Sequence, residues 1–472
     1  IPMRHITPTP SLPRLLATLA CFLAVPTHAA VLCAKTGTQL RDGMVTAANN
    51  GQDDEIRIVK GALDAGPALA NAVRWEYRAS ANDLTTTVDI SGGWDTTCTT
   101  QTGTPADTVL DAESKGAAFK FYSALAGGLG GKVSLRNLTI TRGRSDYFDG
   151  AAVAYYGAAS GGGFTLERVA VLASDTVSYG HSIVYVNQSA SGQVKLLDNV
   201  FAQNQVKVSS SSIVVVDCAG VALCSVNNNS IHDNYAYDDK HPFALFLLGT
   251  VYAANNAVAN NLAGTVYGGV QAGTAGTRTL SLRNNHFEND NFSGEYLEQG
   301  TTSGSAKWTL VGAYRTPNPN SPLRNSGVNS PLGGVGSKDI AGQTRIQDGT
   351  IDRGAIEVAP TPNSAPQLNV LPQYTVPASV GVGFDLFIAY AFDDGLPQPL
   401  AFSFTYNSCP DLVTIAAATG AVRLKAPVPA GLPGCSLEIQ AFDGQYGDVA
   451  TTVLLFDAGG GPSDGLFKDG FN

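Results

Sequence analysis

The chain has 472 residues, a formal net charge of −10 and 52 glycines; 44% of its residues are hydrophobic and only 14% are charged. This hydrophobic content excludes a disordered chain, and the acidic balance argues against nucleic acid as a partner, because nucleic-acid binding needs a basic face. Few charges and abundant glycine are typical of an exported β protein.

The first thirty residues have the pattern of a secretory signal peptide. Arg4 and Arg14 precede an apolar run at residues 15–25, and small residues around Ala29 and Ala30 offer a cleavage site. The run is too short to span a membrane. We therefore expect residues 1–30 to be removed, and we expect no transmembrane segment after their removal.

The segment after the leader predicts the start of a β fold. Residues 56–59, 75–77 and 88–90 alternate apolar and polar side chains, as half-buried strands do. Residues 41–50 have the pattern of a short amphipathic cap. A solenoid needs such a cap, because its first coil would otherwise expose an open strand edge.

From residue 137 to residue 290 the chain repeats. The anchors of the repeat are 31, 31, 30, 27 and 29 residues apart, and an aliphatic or aromatic side chain follows each within three residues: Asn137, Arg168, Asn199, Asn229, Asn256 and Asn285. A fixed period of this length indicates a solenoid, whereas a propeller blade would need about 40–45 residues. Helical periodicity is not sustained in these units. We predict an all-β fold, a right-handed single-stranded parallel β-helix.

The asparagines of this repeat predict a ladder. Asparagine and glycine supply the corners of a β-coil at low conformational cost, and asparagines at one corner of successive coils can hydrogen-bond along the stack. We expect Asn199, Asn229, Asn256 and Asn285 to stack in this way.

Two groups of motifs resemble a known family. The first is Gly92-Gly93-Trp94 with Cys98 and the run at residues 105–111; the second comprises the blocks at residues 339–345 and 349–357. The chain resembles bacterial exported right-handed parallel β-helix proteins of the polymorphic outer-membrane-protein type and their relatives with a choice-of-anchor tail. A preceding block at residues 321–327 departs from the family pattern. The resemblance covers residues 31–358 and implies fold and export, but it does not imply an activity.

A second unit follows a Pro-rich linker at residues 359–366, which we expect to be extended. Residues 367–457 contain short alternating strands with turn signals between them, which predicts a small β-sandwich. Segments within it resemble bacterial cadherin-like or Ig-like modules. The tail at residues 458–472 resembles an Asp-Gly-Phe ending of exported Gram-negative proteins, so we expect a secreted or cell-surface protein of Gram-negative bacterial type.

Removal of the leader leaves six cysteines, and an even number in an exported chain predicts disulfides. Fifteen pairings are open to six cysteines. Locality in the sequence favours three pairs, with free buried thiols as the alternative: Cys33–Cys98, Cys218–Cys224 and Cys409–Cys435.

One loop is a candidate for catalysis. Residues 233–241 hold acids, a base and two tyrosines, and a polysaccharide lyase needs calcium-binding acids and a nearby base, here Asp238, Asp239 and Lys240. A glycosidase would need two carboxylates facing each other across a groove. The alternative interpretation is a solvated loop, since such sites draw residues from neighbouring coils and these lie in one loop.

Calcium is the one cofactor that the sequence leaves open. Asp393, Asp394 and Asp443 lie where acids of cadherin-like modules bind calcium. Calcium takes six to eight oxygen ligands, and three side chains alone do not supply them. Turn-capping aspartates are the alternative.

We favour a non-catalytic exported protein that acts in adhesion, or binds a glycan or a cell-surface partner. The alternative is a carbohydrate-active enzyme, a lyase or a hydrolase, on acidic polysaccharide. The regular repeats, short loops and only three tryptophans favour binding over cleavage. We therefore expect the mature chain not to cleave pectin or alginate, and its oligomeric state stays open.

Overall fold

The computed structural model describes residues 30–66, 73–125, 128–146, 150–177, 182–207, 212–218, 223–236, 244–263, 270–272, 280–288, 296–312, 314–359, 365–376, 380–393 and 399–456. Within these ranges the protein is mostly β, with one α-helix, Gly37–Ala47, and one 3-10 helix, Pro105–Asp107. Parallel strands form a solenoid, and small, mostly antiparallel sheets follow it. The predicted parallel β-helix with a small sandwich after it is confirmed.

The coils of the solenoid contribute strands to three parallel sheets, which we call A, B and C. Sheet A has two rows, A1 and A2, because a bend divides its strands; the two longest strands pass through the bend and belong to both rows. Row A1 contains Ala30–Ala34, Asp54–Val59, Val88–Trp94, Lys132–Thr141, Gly162–Leu172, Gly192–Leu197, Leu223–Asn227, Val251–Ala254, Leu280–Arg283 and Tyr296–Gln299. Row A2 adds Gly61–Asp64, Thr108–Asp111, Val200–Ala202, Ser230–His232, Ala257–Ala259, His286–Phe287 and Thr302–Ser303.

Sheets B and C complete the coils. Sheet B contains Trp75–Arg78, Phe119–Tyr122, Gly150–Gly157, Ser182–Gln188, Val214–Cys218, Leu245–Gly249 and Val270–Ala272. Sheet C contains Arg144–Ser145, Asp175–Thr176, Gln205–Val206, Tyr235–Ala236 and Leu262–Ala263. Successive side chains of a strand point to opposite faces, so alternate aliphatic and aromatic side chains fill the interior, as Phe119 and Phe121 do in one strand of sheet B.

The bend between rows A1 and A2 is made by one left-handed residue in each coil. Its φ lies between 51° and 56° at six positions: Asn137, Arg168, Asp198, Asn228, Asn255 and Asn284. Asparagine and aspartate tolerate this region better than other L-residues, because their short polar side chains bond locally. Four of the six positions are asparagine and one is aspartate, which explains the asparagine-rich repeat.

The residue after the bend forms an asparagine ladder. The Nδ2 of Asn199 donates to Asn229 Oδ1 at 2.9 Å, that of Asn229 to Asn256 Oδ1 at 2.9 Å, and that of Asn256 to Asn285 Oδ1 at 2.8 Å. Each of these oxygens also accepts a backbone N–H from the preceding coil. All four side chains are fully buried, so the structure brings the four predicted residues together at one corner.

The predicted repeat anchors occupy two structural positions rather than one. Asn137 and Arg168 are bend residues, whereas the later anchors lie one residue beyond the bend. Val169 takes the ladder position in its coil, where its backbone N–H donates to Asn199 Oδ1 at 2.9 Å. The first two anchors therefore lie one structural position before the later four, because the backbone bend repeats more strictly than the residue type does.

The α-helix caps the first coil. It begins at Gly37, four residues before the predicted cap, because the side chain of Thr36 accepts the backbone N–H of Gln39 at 3.1 Å and caps the helix. The helix buries Leu40 and Met44 against the coil, and Trp75 Nε1 donates to the carbonyl of Gly37 at 3.0 Å.

After the last coils, the hairpin Trp308–Val311 and Tyr314–Pro317 leads into a segment that folds back along the solenoid. We call residues 314–358 the strap. Its backbone bonds to side chains at or next to the bends of successive coils, at 2.8–3.0 Å: Asn284 to Ser326, Asn255 to Val328, Asn227 to Leu332 and Gly334, Asp198 to Gly336, and Arg168 to Asp339. The strap therefore runs from the last coils toward the first.

Small side chains make room for the strap. Ala170, Val200 and Ala202 on the outer face of row A2 are fully buried in a cluster with Ile340 and Ile356 of the strap. A further buried cluster joins Ala257 and Ala259 to Leu323 and Trp308 in the same way. Outer-face strand positions that would otherwise be solvated are thereby part of the protein interior.

The C-terminal strands form three small sheets around a separate buried cluster. Among the described residues, one sheet holds Gln373–Val376, Ala401–Asn407, Gly434–Phe442 and Gly447–Phe456; a second holds Asp385–Ile388, Val413–Ile415 and Ala421–Leu424; and a pair joins Gln367–Asn369 to Tyr390–Phe392. Of the six strand segments that the sequence predicts here, four fall wholly within these strands, and those at residues 384–388 and 400–404 each start one residue before their strand. The expected domain boundaries, including the linker at residues 359–366, stay predictions.

Candidate functional site

The strap turns at Asp339 before it reaches the first coils, and a polar pocket lies beside that turn. Where the strap turns at Asp339, the backbone N–H of Gln343 donates to the Asp339 carboxylate at 2.7 Å. Beside this turn lies a cavity of about 310 Å³, near the small end of the ~300–1,000 Å³ usual for ligand pockets. Its lining is mostly polar: Glu55, Ser91, Trp94, Gln101, Arg136, Asn137, Glu167, Arg168 and Ser337.

Strand register places the pocket residues side by side. Ser91, Arg136 and Glu167 are direct partners in neighbouring strands of row A1, so their side chains leave the same face about 4.8 Å apart. Trp94 ends its strand, and the following loop is held against the pocket by Asn137, whose Nδ2 donates to the carbonyls of Gly92 and Gly103 at 2.9 and 3.0 Å. The bend residue of one coil thus shapes the loop of the preceding coil.

Most charges of the pocket are paired. Arg57 donates two hydrogen bonds to Glu55, at 2.8 and 2.7 Å, and its guanidinium lies 4.2 Å from the centre of the Trp94 ring. Arg136 makes a bidentate pair with Asp89. These pairs hold Trp94 and the Arg136 guanidinium in fixed positions at the rim.

Glu167 differs from the other charged groups of the pocket. It forms no hydrogen bond or ion pair within the described ranges, although the positive charges of Arg136 and Arg168 act on it. Arg168 donates to the carbonyl of Asp339 at 2.8 Å, and burial lowers the pKa of its guanidinium. The pocket therefore offers one carboxylate as an acceptor, amide and guanidinium donors, and an aromatic ring.

The predicted catalytic residues Asp238, Asp239 and Lys240 lie outside the described residues. The start of the same loop is described, and Asp233 there accepts two hydrogen bonds from Arg315 of the strap, both at 2.7 Å. Burial alone would raise the pKa of Asp233, but hydrogen bonds from His232 and Arg315 hold it below its usual range. This aspartate anchors the start of the strap.

The calcium candidates are only partly described. Asp394 lies outside the described residues, and Asp393 is half-buried. Asp443 is fully buried, and its carboxylate accepts the backbone N–H groups of Gln445 and Tyr446 at 2.7 and 2.6 Å, which is the geometry of a turn-capping aspartate. In the described part of the chain, no cluster of three His, Cys, Asp or Glu side chains could hold a metal ion.

Three disulfides join the six cysteines of the described chain, with Cα–Cα distances of 5.8, 6.4 and 5.7 Å: Cys33–Cys98, Cys218–Cys224 and Cys409–Cys435. They point to an oxidising, extracytoplasmic environment. The first bridge also supports the pocket, because the carbonyl of Cys98 accepts a hydrogen bond from Arg57 at 2.8 Å. None of the described helices has the length and apolarity that a membrane crossing requires.

A second asparagine ladder was missed in the sequence. Asn204 Nδ2 donates to Asn234 Oδ1 at 3.0 Å, and Asn234 Nδ2 donates to Asn261 Oδ1 at 2.8 Å. This ladder lies five residues after the first, beyond a second row of left-handed residues that includes Gln203, Asp233 and Asn260. The recurring spacing of two asparagines five residues apart was the signal for it.

The terminal motifs form a buried charge network rather than a reactive site. Arg345 lies 3.0 Å from Asp198 and 3.8 Å from Glu357, and all three are almost fully buried. Asp339 and Asp352 accept backbone N–H groups of the strap at 2.7–2.9 Å. The second group of motifs, at residues 339–345 and 349–357, thus fastens the strap.

No protein-family model matches this sequence, and no curated protein matches it significantly. Solved structures give distant cadherin-like matches: protocadherin gamma B2 domains 3–6, with 23% identity over 20% of this chain and 26% of that chain and a TM-score of 0.19; human protocadherin-24 EC1-2, with 18% identity over 20% and 45% and a TM-score of 0.18; and Drosophila N-cadherin EC1-3, with 15% identity over 20% and 33% and a TM-score of 0.18. The chain spans less than half the length of each of these structures.

Proposed function

We propose that this protein is an exported, non-catalytic β-helix that binds a hydroxyl-rich ligand, a glycan or the glycan of a cell-surface partner, through the pocket at the end of the strap. The proposal rests on the composition of this pocket. It combines a carboxylate that has no hydrogen bond or ion pair to any described residue, fixed guanidinium donors and one aromatic ring in a cavity of about 310 Å³.

The pairing of charges supports binding over hydrolysis. A glycosidase needs two carboxylates free to act across a groove. Of the two glutamates that line this pocket, Glu55 accepts hydrogen bonds from two nitrogens of Arg57, which leaves Glu167. One carboxylate flanked by two arginines is suited to accepting hydrogen bonds from sugar hydroxyls.

The strap gives a second line of support. It fills the bend of sheet A over the later coils, and within the described residues its hydrogen bonds to the bend end at Arg168, short of the first coils. A ligand of this pocket is therefore limited to a short segment near Trp94, which fits recognition of one or two sugar units better than the processing of a long polymer.

The test is binding of the mature chain to an array of bacterial, plant and animal glycans, with Glu167→Gln as the variant. Glu298→Gln, at an exposed glutamate of the last row A1 strand, is the matched control. We expect Glu167→Gln to weaken captured ligands at least fivefold and the control to leave them unchanged. Equal binding by both variants contradicts the pocket as the site.

The enzyme alternative has its own assay. Pectin and alginate are incubated with the mature chain and calcium at neutral to alkaline pH, and unsaturated products are followed by absorbance. We expect a flat trace. Robust product formation that Asp239→Ala or Lys240→Ala abolishes would overturn the binding function and place the site at Asp238, Asp239 and Lys240.

A further inference from the structure

The outer face of sheet B carries a row of aromatic side chains that the pocket does not use. Strand register aligns two outward lines of residues along the solenoid. The first line is Glu76, Lys120, Ala154, Tyr185, Val215 and Phe246. The second line is Arg78, Tyr122, Tyr156, Asn187, Asp217 and Leu248.

Side chains of these two lines contact one another across the strands. Tyr156 and Tyr185 have ring centroids 5.6 Å apart at an interplanar angle of 47°. The Nζ of Lys120 lies 4.6 Å from the centre of the Tyr122 ring and 5.7 Å from that of Tyr156. Lys120 and the three tyrosines are half-buried, so each packs on its neighbours and keeps part of its surface toward solvent. We call Tyr122, Tyr156, Tyr185 and Phe246 the aromatic stripe.

Polar groups beside the stripe are held in fixed positions. The hydroxyl of Tyr122 donates to Glu76 Oε1 at 2.9 Å, and Asn187 Nδ2 donates to Asp217 Oδ2 at 3.0 Å. Arg78 lies at the first coil, 5.9 Å from the Tyr122 ring. Hydrogen-bonding groups thus lie next to the aromatic faces at Tyr122 and at Tyr185.

The geometry points to a second binding site: we propose that the aromatic stripe binds a neutral linear polysaccharide lying along the solenoid axis. A pyranose ring has an apolar face of C–H groups that packs on aromatic rings, and a rim of hydroxyls that needs donors and acceptors. Aromatic residues with one apolar and one wet side suit this mixed surface. Strands repeat about every 4.8 Å along the axis, a spacing similar to the length of one sugar unit in an extended chain.

Charge balance selects a neutral polymer. The two lines contain two acids, Glu76 and Asp217, and two bases, Arg78 and Lys120, so their formal charges cancel. A uronate polymer would gain no net attraction from them, and the chain as a whole has a net charge of −10. Binding by stacking alone should also depend little on salt.

The site is independent of the pocket at the strap. The stripe lies on sheet B, whereas the pocket lies on row A1 and the strap. Loss of binding in Glu167→Gln reports on the pocket, and loss in Tyr156→Ala reports on the stripe. The two proposals can therefore fail separately.

The experiment is calorimetric titration of the mature chain with cellohexaose and, in a separate arm, with hexagalacturonate. We expect cellohexaose to bind, Tyr156→Ala to weaken it about tenfold, and 0.5 M salt to change it less than twofold. The matched control is Tyr252→Ala, which removes a half-buried outward tyrosine from sheet A and should leave binding unchanged. Circular dichroism melts establish that each variant is folded, and Tyr185→Ala replaces Tyr156→Ala if the latter is not.

Three results would overturn the proposal. The first is no binding of cellohexaose at millimolar concentration. The second is tighter binding of hexagalacturonate that salt weakens, because this would assign the stripe to an acidic polymer. The third is equal loss of cellohexaose binding in Tyr156→Ala and Tyr252→Ala.

Discussion

A buried asparagine in this solenoid completes hydrogen bonds that the bend of the backbone would leave open. The side chain of Asn229 accepts the backbone N–H and the side-chain amide of Asn199 and donates to the carbonyl of Leu196. The backbone N–H of Asn229 donates to the side-chain oxygen of Asn256. A buried donor or acceptor without a partner costs about 1–3 kcal/mol. One side chain therefore satisfies groups in the coil before it and in the coil after it.

Asn229→Ala should lower the free energy of unfolding by about 3 kcal/mol, because it strands the N–H and amide of Asn199 and the carbonyl of Leu196. Asn82→Ala, at an exposed asparagine, should change it by less than about 0.5 kcal/mol. Urea unfolding of both variants measures the difference. Similar losses in the two would show that the ladder does not stabilise the fold.

The carboxylates of the strap are a second residue-level feature. Burial raises the pKa of Glu357 to about 7, with the nearby Asp352 adding to the effect, and burial raises the pKa of Asp198 to about 6. A carboxyl whose folded pKa is raised contributes stability that is complete below its usual pKa of 4.5 and is lost as pH rises through about 7.

Glu357→Gln should therefore flatten the pH dependence of stability. Between pH 4.5 and pH 7.5 the wild type should lose about 2 kcal/mol that the variant does not lose, because glutamine does not ionise. Urea unfolding at both pH values, on both proteins, gives this difference directly. Parallel pH profiles would mean that the burial of Glu357 does not control its ionisation.

At the scale of elements, the strap packs apolar side chains against the outer face of a parallel sheet. Ile340 is fully buried against Ala170 and Val200, whereas Leu332 on the same strap is half exposed. Ile340→Asp should cost at least about 3 kcal/mol through the loss of apolar burial and the burial of a charge, while Leu332→Asp should cost less than about 0.5 kcal/mol. Limited proteolysis should cut the strap of the first variant only; protection of both would contradict a packed strap.

The sequence could predict the coils but not the strap. The asparagines report the bend directly, because the left-handed backbone there selects them, as at Asn228, Asn255 and Asn284. The contact between Arg168 and Asp339 joins residues 171 positions apart. No sequence pattern in either segment indicates that the two segments are in contact. The pocket was missed for the same reason, since it exists only where the strap ends.

At the scale of the whole molecule, two separate buried clusters indicate two cooperative units. The solenoid cluster and the C-terminal cluster share no residue. Each has its own disulfides, and the Cys409–Cys435 bridge belongs to the second unit. We expect calorimetry to resolve two unfolding transitions.

Replacing both Cys409 and Cys435 with serine should lower the free energy of unfolding of the C-terminal unit alone, by about 3 kcal/mol. The reason is that this bridge spans a sequence separation of 26 residues. The matched control removes Cys218 and Cys224, whose separation is 6 residues, and should cost about 2 kcal/mol in the solenoid transition. A shift of both transitions by either change would show that the molecule unfolds as one unit.

The strap also sets the length of the array. Repeat proteins ordinarily gain and lose units readily, because each unit contacts only its neighbours. Here the strap is hydrogen-bonded in turn to Asn284, Asn255, Asn227, Asp198 and Arg168. Inserting one coil would move the hydrogen bonds between the strap and the bend residues beyond the insertion out of register by one strand spacing. They would stay in register only if the strap, which is the return segment, became longer by the same distance. The return segment therefore serves as a ruler that ties the number of coils to its own length.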